Sequence, residues 1–102
     1  MLDPRVTKLA ELLCNHSVRL SAEDNLLIHA FDIPEECVVE LVRVAQSKGA
    51  NVAVRLESNR VKAQLMQHMT VENAQLIAKT EKAEMEEMTA YIALRGTHNY
   101  AE

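Results

Sequence analysis

A chain of 102 residues that is 48% hydrophobic and 25% charged holds apolar material for one small core and too much of it for a disordered segment. Its formal net charge of -4, scattered Lys and Arg, single Phe, two Tyr and absence of Trp exclude the basic stripe and the stacking platform that hold nucleic acids. No stretch reaches the roughly 18 apolar residues of a membrane span, and the opening Met1-Leu2-Asp3-Pro4-Arg5 lacks the apolar run of a signal peptide.

Asp3-Pro4 opens the first helix. The Asp side chain caps free N–H groups, and Pro fits the first turn, where its missing N–H costs nothing. Val6, Leu9, Ala10 and Leu13 follow at helical spacing, and the helix is expected to fade near Asn15 to Ser17. The polar stretch Leu20 to Asp24 reads as a turn. Asn25 to Phe31 is a short, nearly continuous apolar run, the pattern of a buried strand. Asp32-Ile33-Pro34-Glu35-Glu36 then starts a second helix, with acids in the turn where the helix dipole favours them. Its inner face is Val38, Leu41, Val42 and Ala45, and Gly49 supplies a left-handed stop.

Asn51 to Leu56 is the second strand, with Val52, Val54 and Leu56 on one side. Ser58 or Asn59 caps a third helix bearing Val61, Leu65 and Met69. Thr70 caps a fourth, with Val71, Ala74, Ile77 and Ala78 on one face. Between Val71 and Met88 the pattern allows one long helix or two short ones. Ala90 to Leu94 is the third strand, ended by Arg95-Gly96. The order α-β-α-β-αα-β implies an α/β fold, a three-layer arrangement with parallel strands, right-handed crossovers and helices on both faces. The long αα crossover carries the chain back past the first strand, which predicts the spatial order 2-1-3. Three strands are few for a parallel sheet covered on both sides, so the chain reads as part of a larger domain.

Residues with chemistry are present but not grouped. His16, His29, His68 and His98 are isolated, with neither an HExxH motif nor two His four residues apart on a helix. His29 falls in a strand, where a satisfied core histidine is the usual case. Glu81, Glu84, Glu86 and Glu87 read as a solvated helix face. Cys14 and Cys37 form no CxxC pair and read as two buried free thiols in a reducing compartment. No glycine follows the first or second strand, which argues against a phosphate-binding loop. Asp32 stands where a phospho-acceptor module would need an acidic residue, but the rest of that module's acidic set is missing. Neither Cys has a neighbouring His with a third orienting group, and there is no GxSxG elbow. No catalytic, cofactor-binding or metal residue is therefore assigned.

Three segments carry a resemblance. Leu2-Asp3-Pro4-Arg5-Val6-Thr7-Lys8-Leu9-Ala10-Glu11-Leu12-Leu13 resembles the opening helix of the thermophilic metallo-aminopeptidases, the aminopeptidase S and T group. Val38-Val39-Glu40-Leu41-Val42-Arg43-Val44-Ala45, with Gly49-Ala50-Asn51-Val52, is similar to that family's helix, Gly-Ala turn and strand. Met88-Thr89-Ala90-Tyr91-Ile92-Ala93-Leu94-Arg95-Gly96-Thr97-His98-Asn99 is the most specific, resembling a strand and loop at the same depth in the chain.

The resemblance implies a cytoplasmic enzyme several times longer than this chain. Its N-terminal α/β domain walls the site, and a later domain holds two divalent metals, zinc or cobalt, that hydrolyse N-terminal residues from peptides. None of the family's catalytic or metal residues maps onto a position here. The chain is thus expected to be a non-catalytic N-terminal portion, inactive alone, with no nucleic-acid or membrane partner. It is expected to self-associate through the third strand, the Thr97 to Glu102 tail or the neighbouring helix faces. The alternative is a stand-alone α/β protein-interaction module.

Overall fold

The computed structural model describes residues 3–96. Helix α1 (Pro4–Leu12) runs into a π-helical turn at Leu13–Ser17, and β1 (Asn25–Phe31) follows. Next come α2 (Glu35–Ser47), β2 (Asn51–Glu57), α3 (Asn59–Gln67), α4 (Val71–Glu86) and β3 (Ala90–Arg95). The fold is α/β. The three strands are all parallel, in the order β2-β1-β3, as the crossover lengths predict. The stretch from Val71 to Glu86 is one helix.

The expected caps hold the helix starts. Asp3 accepts from the Arg5 N–H, Ser58 from the Val61 N–H and Thr70 from the Asn73 N–H. Gly49 ends α2 in the left-handed region at φ 86°. A Cβ there would also come within 2.9 Å of the Ala22 Cβ, so two separate constraints require glycine.

Register fixes which side chains share a face. Leu26 lies beside Val52 and Ala90, Ile28 beside Val54 and Ile92, and Ala30 beside Leu56 and Leu94. This face meets α1 and α2, and the core forms there from Leu26, Ile28, Ala30, Ile92, Val38, Leu41, Val44, Ala45, Ala10 and Cys14. Burying large aliphatic side chains of this kind stabilises by about 1.5–3 kcal/mol each. On α1 Ala10 takes the innermost position and Leu9 is half exposed. One sequence expectation needs correction. Cys14 is buried as expected, whereas Cys37 is only partly so, since it lies in the first turn of α2 beside the rim of a small apolar cavity.

The opposite face carries Leu27, His29 and Phe31 from β1, Arg55 and Glu57 from β2, and Tyr91 and Arg95 from β3. Helix α4 stands on this side. Arg55 donates to Glu81 at 3.3 Å and to Glu84, tying helix to sheet. This layer is tethered more than packed, because neither α3 nor α4 contributes a buried residue. The molecule is 18 Å thick against 41 and 39 Å across, and its radius of gyration is 15.3 Å. A compact chain of this length has a radius of about 13 Å.

Both ends of the sheet are locked. At the entry end, Thr89 Oγ1 accepts from the Asn25 N–H and donates to Asp24, each at 2.8 Å, while the Asn25 side chain donates to the Glu87 carbonyl. At the exit end, the Asp32 N–H donates to the Glu57 carbonyl and the Gly96 N–H to the Phe31 carbonyl. A Cβ on Gly96 would lie 2.3 Å from the Asp32 carbonyl oxygen, so this strand end admits only glycine.

Candidate functional site

Two features stand out on the face away from the core. The first is a hydrogen-bonded chain built from one residue of each strand. His29 lies on the central strand and is 8% exposed. Its Nε2 contacts the Glu57 carboxylate at the end of β2, and its Nδ1 lies 2.9 Å from the Tyr91 hydroxyl on β3. The imidazole rests on Phe31 with ring centroids 4.2 Å apart and meets Tyr91 edge-on at 6.1 Å.

Electrostatics orient this chain. Burial pushes the Glu57 carboxyl pKa up. No single contribution exceeds that, but the His29 hydrogen bond and the neighbouring charges of Lys62, His29 and Arg55 outweigh it together, and the net shift is downward. Glu57 is therefore an anion and acceptor only, so His29 Nε2 carries a proton. In the neutral imidazole Nδ1 is then bare, and it accepts the Tyr91 O–H. Cations border the group. Lys62 lies 3.6 Å from Glu57 and 5.2 Å from the Phe31 ring centre, and the Arg95 guanidinium stands 4.3 Å over the same ring.

The second feature is a cleft of about 700 Å³ between α3, α4 and the end of β2. Val61, Leu65 and Met66 of α3, Met69 of the connecting turn, and Ala74 and Ile77 of α4 make it apolar, and Lys62, Arg55 and Glu81 mark its edge. Val61 is 68% exposed and Met66 61%, so the apolar stripe on α3 has nothing over it among the described residues.

The remaining sequence candidates are dispersed. His16 and His68 are exposed, and His98 lies outside the described residues. Asp32 takes a left-handed conformation at φ 57° and accepts from the Asn59 N–H at 3.0 Å, a structural role at the strand exit. The acidic run of α4 is not uniformly solvated. Glu81 and Glu84 turn to Arg55, whereas Glu86 and Glu87 are exposed. Among the described residues no group of three or more His, Cys, Asp or Glu is placed to hold a metal ion, and no helix is long and apolar enough to cross a membrane.

Sequence reading assigned His29 a satisfied structural role and gave none to Glu57 or Tyr91. Period-two alternation puts each on a definite strand face. Bringing them together needs the register, which places Glu57 beside Phe31 and Tyr91 beside Leu27, so both lie diagonal to His29. No protein-family model matches the chain, and no curated protein matches it.

Proposed function

We propose that the chain is a non-catalytic α/β unit of a metal-dependent aminopeptidase that removes N-terminal residues from peptides. It acts by docking, through its α3–α4 side, against the domain that bears two divalent metals, zinc or cobalt. The observation that carries this reading is the apolar cleft. Val61, Leu65, Met66 and Val71 are all exposed on helices that bury nothing, and an apolar surface of this kind marks an interaction site. The resemblance supports the choice of partner. Its three segments correspond to α1, to α2 with the Gly49 turn and β2, and to β3, and α1 and α2 supply most of the helical side of the core.

Among the described residues no group is placed to hold a metal pair, so in this reading the metals belong to the partner domain and no step of the peptide hydrolysis runs through this unit. Two free thiols agree with a reducing, cytoplasmic setting. A second reading, a stand-alone interaction module, draws on the same cleft, and self-association is its simplest form. A photoreactive residue replacing Leu65 in the native polypeptide separates the two. Cross-links to a segment rich in His and acidic residues are expected. Cross-links only to a second copy of this chain would favour the module. Labelling by solvent alone would overturn both.

A further inference from the structure

The chain Glu57–His29–Tyr91 has the connectivity of a nucleophile triad, with an anion behind an imidazole and a hydroxyl in front of it. Each link is in place. Glu57 fixes the proton on His29 Nε2, and the opposite nitrogen receives the Tyr91 O–H at 2.9 Å. His29 is buried at 8% exposure, whereas Tyr91 is 39% exposed, so the base is shielded and the hydroxyl is within reach of solvent. A buried histidine that needed only satisfaction would be served by two structural partners. Here one partner is ionised and the other is an exposed phenol on an edge strand.

We infer that Tyr91 is a base-assisted phenol nucleophile, a covalent acceptor for hard tetrahedral electrophiles of the sulfonyl and phosphoryl class. The phenol oxygen forms the new bond to sulfur or phosphorus. The bond to the leaving group breaks, and that group departs with the electron pair. The phenol proton passes to His29 Nδ1, and the resulting imidazolium is held by Glu57. Lys62 and Arg95 stand over the Phe31 ring, on the Glu57 side of His29. Arg55 also faces this side and is engaged by Glu81 and Glu84.

Benzenesulfonyl fluoride tests the inference on the intact chain, with Tyr100 as the reference, since it is the only other tyrosine. Mass mapping is expected to find Tyr91 sulfonylated faster than Tyr100 near neutral pH, by about a hundredfold if the base contributes as general bases commonly do. Glu57→Gln, which keeps a hydrogen-bonding side chain, should cut the Tyr91 rate severalfold. His29→Gln should bring it to the Tyr100 rate. Equal rates at the two tyrosines in the wild-type chain would overturn the inference. So would a Tyr91 advantage that persists in folded Glu57→Gln and His29→Gln proteins, because exposure alone would then account for it.

Discussion

Glu40 is a carboxylate buried on the side of α2 that faces away from solvent. It is 7% exposed on α2, and Arg43, one turn on, donates to it from Nε at 2.9 Å and from Nη2 at 2.7 Å. The Arg43 hydrogen bonds, and a further one from Thr7 on α1, hold its pKa down at about 2. The folded value lies below the ordinary one. The stabilisation is therefore fully present above the unfolded carboxylate pKa and is lost as pH falls toward about 2. Glu57 shifts in the same direction. Urea midpoints measured from neutral to acid pH should fall through this window, and Glu40→Gln should flatten the fall while lowering stability at neutral pH. An unchanged acid slope in the variant would remove Glu40 from the account. The role of Glu40 was not legible beforehand. Helical spacing turns it well away from the inner face of Val38, Leu41, Val42 and Ala45, and only the packing of α1 beside α2 shows that this side of the helix is covered as well.

At the scale of elements, sequence chemistry located the boundaries because local interactions set them. Asp3, Ser58, Thr70 and Gly49 act within a few residues of themselves, and each occurs in the role its type predicts. The π-helical turn at Leu13–Ser17 was not legible, since it arises where the chain must drop from α1 toward β1, with the Leu20 N–H donating to the Cys14 carbonyl at 2.7 Å. Nor was the looseness of α3 and α4, because a periodic stripe such as Val61, Leu65 and Met69 states that a face is apolar without stating what covers it. Arg55 ties α4 to the sheet, and Lys62 beside Glu57 ties α3, each a partly exposed pairing of the kind that contributes about 0.2–1 kcal/mol. Hydrogen exchange should therefore find α3 and α4 opening first, with amides about a hundredfold less protected than those of β1. Arg55→Ala should raise α4 exchange further and leave β1 unchanged. Equal protection across the four helices would contradict the tethered layer.

The whole molecule is one closed half joined to one open half. The half built from α1, α2 and the inner sheet face is a finished core, and its parallel order β2-β1-β3 was legible because crossover length and handedness leave few alternatives. The open half holds the cleft and the free apolar residues of α3 and α4. Exposed apolar surface contributes about 25 cal/mol per Å² on burial, so a few hundred Å² suffice to drive docking before the costs of association. In the proposed reading a metal-bearing domain covers that surface, and a second copy substitutes for it when the chain is isolated. The direct measurement is made on the native polypeptide, isolated through an antibody to α2. Its intact mass is determined, and its hydrolysis of an aminoacyl chromogenic substrate is followed before and after chelation and on readdition of zinc or cobalt. The account predicts a polypeptide several times larger than 11.5 kDa, with activity that chelation removes and metal restores. An isolated species of this size with no metal-dependent hydrolysis, or a larger one without it, would contradict the account.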